Sequence, residues 1–190
     1  MKLIIASNNK HKIKEIKEIL GSKFSEIISL HEAGIDHETI EDGTTFAQNA
    51  YKKAYEIAML SGEASLADDS GICVDALGGA PGIFSARFAG GHGDDEANNR
   101  LLLQKLKGAK DRSAHYTCAI SLVYPDGKHI AAEGHMYGTI TENPRGDKGF
   151  GYDPLFVLTG EDRTVAEMSE EEKNALSHRR VALDGLLAKL

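Results

Sequence analysis

The amino-acid sequence predicts an α/β domain built on a mixed β-sheet flanked by helices. In the first half of the chain, short apolar segments alternate with amphipathic helical segments, a pattern typical of strands joined by helices. Two β-rich segments, 114–124 and 129–140, then follow each other across Pro125-Asp126-Gly127, which is a strong hairpin signal. Because a hairpin joins antiparallel strands, the sheet is expected to be mixed rather than wholly parallel.

Hydrophobic periodicity, helix-capping residues and helix-breaking residues predict where each helix and strand begins and ends. Ser/Thr-x-x-Gln/Glu capping boxes, Thr45 with Gln48 and Ser169 with Glu172, predict two helix starts. One apolar strand is expected to end at Asp68-Asp69-Ser70-Gly71 and to resume at Ile72. In order, the predicted strands are 3–6, 24–30, 65–67, 72–74, 114–124, 129–140 and 155–158, and the predicted helices are 13–20, 46–60, 94–107 and 169–190.

Composition excludes several classes of protein. The 190 residues include 22 Lys+Arg and 29 Asp+Glu, and the resulting net charge of −7 argues against a protein that coats nucleic acid. No apolar run approaches the ~20 residues of a membrane span, and no signal-peptide core follows the first residues. Cys73 and Cys118 lie in apolar surroundings and are expected to be buried free thiols, as in a cytoplasmic protein.

Glycine accounts for 20 residues and concentrates in segments 78–93 and 146–154. Glycine is used where the backbone turns sharply or approaches another group closely. The two segments are therefore candidate binding loops.

Two sequence segments are candidates for phosphate binding. Ser7-Asn8-Asn9-Lys10-His11-Lys12 precedes the first helix, and backbone N–H groups at a helix N-terminus attract anions. Lys53 lies one turn after Asn49 in the second helix. The alternatives are an ordinary N-cap with solvated lysines and a solvated lysine face.

Asp68-Asp69-Ser70-Gly71 is the candidate for metal binding or general-base chemistry. Adjacent carboxylates in a strand point to opposite faces, so that one is free to face a reacting group. Carboxylates at a strand end commonly hold Mg²⁺ or activate a water molecule. The alternative is a turn, which Asp-Asp-Ser-Gly also favours.

A third group of residues suits recognition of a nucleobase. Gly149-Phe150-Gly151-Tyr152-Asp153-Pro154 predicts a rigid loop with an exposed ring for stacking, or else a tight turn with a packed Phe. Lys173, Ser177, His178 and Arg179 are expected near one turn of the last helix. Cations, metal-type carboxylates and a stacking ring together favour a nucleotide ligand.

These stretches, taken in order, resemble the Ham1 family of inosine/xanthosine triphosphate pyrophosphatases. The resemblance runs the whole chain, and it is carried by Ser7–Lys12, Thr45–Ala54, Ala67–Gly71, Gly78–Arg87, Gly149–Pro154, Glu171–Asn174 and Ser177–Arg179. It implies a single catalytic domain, 1–190, with an elongated sheet and a cleft between two lobes. It also implies a homodimer that hydrolyses ITP, dITP and XTP to the monophosphate and pyrophosphate with Mg²⁺, cleaning the nucleotide pool.

The resemblance also implies roles for residues, position by position. Asp69 is expected to accept the proton and to bind Mg²⁺, with Glu41 as the second metal carboxylate and Glu38 as the alternative. The implied substrate-binding residues are Ser7, Asn8, Asn9, Lys10, His11, Lys12, Lys53, Ser70, Phe150, Gly151, Tyr152, Asp153, Lys173, His178 and Arg179. Two rival functions are a pyrophosphatase of another specificity and a nucleotide-binding regulatory module without catalysis.

Overall fold

The predicted mixed sheet is present. A computed structural model describes residues 2–91 and 93–190, so Met1 and the His92 position of the glycine-rich segment 78–93 lie outside the described residues. The strands are β1 Lys2–Ile5, β2 Glu26–Ser29, β3 Ala64–Val74, β4 Ser113–Val123, β5 His129–Ile140 and β6 Phe156–Leu158. The helices are α1 Lys10–Leu20, α2 Phe46–Ser61, α3 Asp95–Lys105, α4 Glu170–Leu176 and α5 His178–Leu187.

The strand order is β2-β1-β3-β4-β5-β6, with β1 parallel to β2 and β3 and with β5 antiparallel to β6. The predicted turn joins β4 to β5, where the backbone N–H of Tyr124 donates to Lys128 at 2.8 Å and that of Gly127 donates to Tyr124. The α/β class and the mixed sheet predicted from the sequence are therefore confirmed.

Two details of the prediction are wrong. The sequence predicts a break in the strand at 68–71, but β3 is continuous from Ala64 to Val74. The sequence also predicts one C-terminal helix, whereas α4 and α5 are separate because Ser177 has extended backbone angles, φ −67° and ψ 147°. Lys173 and His178 therefore belong to different helices.

The chain divides into two compact units, and β3, β4 and β5 contribute residues to both. Unit 1 consists of Met1–Asp69, Cys118–Gly134 and Arg179–Leu190, and unit 2 consists of Ser70–Thr117 and His135–His178. Each unit has its own hydrophobic core.

In unit 1, β1 is buried on both faces. Leu3 and Ile5 pack in a cluster with residues of α1 and α5, whereas Ile4 packs in a second cluster with Ala54 and Ile57 of α2. Consecutive strand residues point to opposite faces, so helices cover both faces of the sheet here. Within this core Cys118 is a buried free thiol, as predicted.

In unit 2, a single cluster joins strand residues to α3 and to the loop before β6. Its members are Ile72, Val74, Leu102, Leu106, Ala114, Tyr116, Met136, Ile140, Tyr152, Leu155, Phe156 and Val165. Cys73, also a free thiol, is only half-buried. No helix among the described residues has the length and apolar character needed to cross a membrane.

Candidate active site

The segment Ser7–Lys12 forms a capped helix start. Asn9 is the N-cap of α1, and its side-chain oxygen accepts hydrogen bonds from the backbone N–H groups of His11 at 3.0 Å and Lys12 at 3.2 Å. The hydroxyl of Ser7 accepts from the N–H of Asn9 at 3.2 Å. Asn8, Lys10 and His11 are exposed. The N-cap alternative is thus present, and the loop remains open to an anion through its exposed side chains.

Asp68 lies at the centre of a buried charge network in unit 1. Its Oδ2 atom is 2.9 Å from Nζ of Lys12 and accepts a hydrogen bond from Nε of Arg179 at 3.1 Å. Arg179 is 3% exposed and also donates to Glu15 at 2.9 Å. Burial alone would raise the pKa of Asp68, but the charges of Lys12 and Arg179 outweigh burial and hold that pKa well below its usual range.

Asp69, the next residue, has different partners. Its Oδ2 atom accepts a hydrogen bond from Nδ2 of Asn49 at 3.0 Å, and its Oδ1 atom is 3.7 Å from Nζ of Lys53. Burial raises the pKa of Asp69, and the nearby Glu41 carboxylate adds to the rise, against the lowering effects of Lys53 and Asn49. A carboxylate with a raised pKa is better suited to accept a proton from water.

Lys53 joins two of the predicted site carboxylates. Its Nζ atom donates to Oε1 of Glu41 at 2.6 Å while also lying beside Asp69. Burial lowers the pKa of Lys53, but Asp69, Asp68 and Glu41 outweigh burial, so the net shift is upward and the ammonium stays charged.

The donor set of Glu41 and Asp69 fits a small hard cation. Among the described residues there is no group of three or more His, Cys, Asp or Glu side chains placed to hold a metal. Two carboxylates that share one ammonium suit Mg²⁺, which binds through one or two carboxylates and takes its remaining oxygens from water and phosphate. Glu38 is exposed, so the contacts favour Glu41 over Glu38.

In unit 2, Phe150 is partly exposed beside two charged groups. The residue is 40% exposed, and Nζ of Lys173 lies 4.1 Å from the centroid of its ring. Lys173 also forms an ion pair with Asp153, whose Oδ2 atom accepts from the N–H of Phe150 at 2.9 Å. Burial raises the pKa of Asp153 despite the lowering effect of Lys173.

Gly149 permits this arrangement. Its φ is +76°, and a Cβ atom there would lie 2.2 Å from the carboxylate of Asp153. A side chain at this position would therefore displace the carboxylate from Lys173.

The next loop residues are held by α3 and by the core. The N–H of Gly151 donates to Asp95 at 2.6 Å, and its carbonyl accepts from Nδ2 of Asn99 at 3.0 Å. Tyr152 is buried and donates to the carbonyl of Ser85 at 2.7 Å. The ring of His178 is buried and stacks on Tyr116 at 4.8 Å. Ser70, in β3, is half-buried.

A sequence model of the Ham1 family matches residues 3–189. This chain belongs to the Ham1 family.

Ham1-family relatives are similar over nearly the whole length. The chain is 53% identical to a dITP/XTP pyrophosphatase from Clostridium perfringens, over 97% of this chain and 95% of that protein. It is 49% identical to one from Exiguobacterium sp., over 100% of this chain and 97% of that protein. The Ham1 protein of Staphylococcus aureus matches with a TM-score of 0.92 and 40% identity, over 100% of this chain and 97% of that structure. A nucleoside-triphosphatase / dITP/XTP pyrophosphatase from Mycobacterium abscessus matches with a TM-score of 0.83 and 44% identity, over 100% of this chain and 99% of that structure.

Four residues that contact predicted site residues are not themselves predicted from the sequence. From the sequence, Asn49 is identified only as a neighbour of Lys53 in the second helix. The sequence motifs assign no function to Glu15, Asp95 or Asn99. Each of these residues contacts a partner that is distant in the sequence. Only Asn49 lies within a Ham1 motif, so it is the one residue of the four that the sequence could have pointed to. The side chain of Arg179, a predicted substrate contact, donates to Asp68 and to Glu15.

Proposed function

We propose that this chain hydrolyses non-canonical purine nucleoside triphosphates, ITP, dITP and XTP, to the monophosphate and pyrophosphate. The observation that carries the proposal is the buried carboxylate of Asp69, held by Asn49 beside Lys53 and Glu41. The names of the relatives, dITP/XTP pyrophosphatases at about half identity over the full chain, support the substrate class.

In the proposed reaction, Asp69 orients a water molecule and accepts its proton. The water oxygen attacks the α-phosphorus, the bond from that phosphorus to the bridging oxygen breaks, and pyrophosphate leaves with the electron pair. Burial raises the pKa of Asp69, which strengthens the carboxylate as a base. Lys12 and Lys53 offset the negative charge of the phosphates, and the exposed side chains of Asn8, Lys10 and His11, with Ser7 and Asn9, contact the phosphate chain.

We assign Glu41 and Asp69 as the residues that hold Mg²⁺. When bound, the cation neutralises phosphate charge and stabilises the leaving pyrophosphate. Lys53 lies between the two carboxylates and keeps them close to each other before a cation binds.

Unit 2 supplies the proposed base-binding residues. Phe150 stacks on the purine, and Lys173 donates to the 6-oxo group that hypoxanthine and xanthine share. Adenine carries an amino group at this position, so a donor would face a donor, and the mismatch would weaken binding. Gly151, Tyr152 and Asp153 shape the loop, Ser70 and His178 contact substrate, and Arg179 acts beside Lys12 through Asp68.

We further propose a homodimer in the cytoplasm, with 1–190 acting as one catalytic domain. The free thiols of Cys73 and Cys118 suit a reducing compartment, and the family match across 3–189 supports a single domain. The net charge of −7 supports single nucleotides, rather than nucleic acid or a membrane surface, as the ligands. Light scattering after size exclusion measures the dimer directly.

A substrate panel tests the proposed function. Release of monophosphate and pyrophosphate is measured by chromatography for ITP, dITP, XTP, dUTP, GTP and ATP, with Mg²⁺ and with excess EDTA. We expect ITP, dITP and XTP to be preferred and the activity to vanish in EDTA. Preference for dUTP would favour a pyrophosphatase of another specificity, and binding without turnover would favour a regulatory module.

A further inference from the structure

Asn49 links the carboxylate of Asp69 to the backbone of the segment that carries Glu41. It is the fourth residue of α2 and is fully buried. Its Nδ2 atom donates to Asp69 at 3.0 Å, and its Oδ1 atom accepts from the backbone N–H of Gly43 at 2.8 Å. Because Gly43 offers a donor and Asp69 an acceptor, the two partners fix the orientation of the amide.

The segment that Asn49 holds also carries Glu41, two residues before Gly43. A Cβ atom at position 43 would lie 2.5 Å from Oδ1 of Asn49, so the close approach depends on glycine. One turn further along α2, Lys53 donates to Glu41. One face of α2 thus contacts both Asp69 of β3 and the segment that carries Glu41. The contacts are made by the amide of Asn49 and the ammonium of Lys53.

Stability of the helix does not require this amide. Thr45 already caps α2 by accepting from the N–H of Gln48 at 3.2 Å. Asparagine is a poor residue for a helix interior, and burying an amide costs free energy unless each polar atom is bonded. An alanine, as at Ala50 and Ala54 on the same buried face, would serve packing alone.

We propose that Asn49 is a positioning residue, which sets the carboxylate of Asp69 relative to the segment that carries Glu41. The inference rests on the proposed function for its catalytic consequence. Its geometric content, a fixed pair of carboxylates, is measurable without substrate.

Three variants separate the two hydrogen bonds of Asn49. Asn49→Ala removes both, and Asn49→Asp keeps an acceptor for Gly43 but places a second carboxylate against Asp69. Gly43→Ala leaves every polar side chain in place and pushes on the amide through the added methyl group. If Asn49→Ala fails to fold, Gly43→Ala carries the test.

Asn98→Ala is the matched control. Asn98 is likewise the fourth residue of its helix, α3, and is buried. Its amide accepts from the N–H of Ala89 at 2.8 Å and donates to the carbonyl of Ala86 at 3.4 Å. Removing it costs one hydrogen bond from a backbone N–H and one to a neutral carbonyl, so it reports the effect of losing a buried helical amide that touches no carboxylate.

The measurements are kcat and KM for ITP, thermal stability, and Mn²⁺ binding to the substrate-free protein by electron paramagnetic resonance. We expect Asn49→Ala and Gly43→Ala to lower kcat by about 10- to 100-fold and to weaken Mn²⁺ binding by about tenfold or more, the usual range for outer residues of a metal site. KM should stay within about threefold of the parent value, and Asn49→Asp should lose kcat although its bond to Gly43 is kept.

The control decides between positioning and simple stability. Asn98→Ala should lose thermal stability while its Mn²⁺ affinity matches the parent. If Asn49→Ala and Gly43→Ala lose only thermal stability, the positioning role is wrong. If the parent hydrolyses no triphosphate, the proposed function fails, and unchanged Mn²⁺ binding in both variants would still overturn the role of Asn49.

Discussion

At the scale of single residues, Asp68 and Asp69 show how one strand separates two carboxylates. Asp68 contacts Lys12 and Arg179, whereas Asp69 contacts Asn49 and Lys53. Their pKa values shift in opposite directions, downward for Asp68 and upward for Asp69. The first is stabilised as an ion by cations, and the second is destabilised as an ion by burial.

The sequence predicts that the two carboxylates point in different directions, because strand residues alternate. It does not predict the network of Asp68, since Arg179 lies 111 residues further along the chain and Glu15 lies 164 residues before Arg179. No local pattern in the sequence reports a pair so distant. The role of Asp69 as base and metal ligand is predicted from the Ham1 motif. The motif identifies the residue but not the contacts that surround it.

Asp69→Asn should remove most of the hydrolytic activity without weakening the fold. Loss of the base should lower kcat by about 10²- to 10⁴-fold. Because burial raises the pKa of Asp69, the ionised carboxylate is less favourable in the folded state than in the unfolded chain, so the amide should make the protein no less stable at neutral pH. Below the unfolded pKa of about 4 both states are protonated, and this advantage should fade. Coupled pyrophosphate release and urea unfolding at several pH values measure both effects.

Asp68→Asn is the contrasting variant. It leaves the buried guanidinium of Arg179 with one carboxylate fewer, and breaking a buried pair costs about 3–5 kcal/mol of unfolding free energy. The lowered pKa of Asp68 means that the parent has this stability above pH 4 and loses it as the pH falls further. Equal unfolding curves for the two variants at neutral pH would contradict the assignment of one carboxylate to structure and the other to chemistry.

At the scale of elements, the sequence predicts most of the fold because caps and turns are local. The N-cap of α2 is Thr45, as expected, although the side chain of Gln48 accepts from Thr44 rather than from Thr45. The continuity of β3 was missed because Asp-Asp-Ser-Gly favours a turn in isolation, whereas in the sheet, between β1 and β4, the strand runs extended through these residues.

The break between α4 and α5 was missed for a related reason. Leucines at 176, 183, 187 and 190 recur at the spacing expected for one face of a single helix. Such periodicity cannot detect a single extended residue between two helices. Ser177 is that residue, and Leu176 is consequently 45% exposed instead of packed.

One prediction concerns α3, which holds the loop that carries Phe150 through hydrogen bonds to the following residue, Gly151. Asp95 and Asn99, four residues apart, bind the N–H and the carbonyl of Gly151. Asn99→Ala removes one hydrogen bond, worth about 1 kcal/mol, so KM for ITP should rise about fivefold with a smaller change in kcat. Preference for ITP over ATP should fall as well, because the ring of Phe150 is less well placed.

Arg100→Ala serves as the control for that variant. Arg100 is on the same helix, but its side chain is exposed and pairs with Glu96. Steady-state kinetics with ITP and ATP should show parent behaviour for Arg100→Ala. Unchanged KM and preference in Asn99→Ala would mean that α3 does not control the loop.

At the scale of the whole molecule, the net charge of −7 raises the question of how a polyanion binds. The sequence suggests that lysines gather at the site while excess carboxylates face solvent. In the structure, Lys12, Lys53 and Lys173 each pair with a carboxylate. In unit 1, the ion pairs among the described residues set Lys12, Lys53 and Arg179 against Glu15, Glu41, Asp68 and Asp69.

This balance predicts that a divalent cation is needed for binding of the triphosphate as well as for its hydrolysis. Calorimetry with an ITP analogue that carries a non-hydrolysable α,β link should show affinity about 10- to 100-fold weaker in EDTA than in Mg²⁺. Inosine, which has no phosphates, is the control, and its binding should not depend on Mg²⁺. If the overall charge were the only obstacle, NaCl would restore affinity in EDTA by screening. A local excess of carboxylate predicts that only the divalent cation restores it, and equal affinity of the analogue in EDTA and Mg²⁺ would contradict this account of the site.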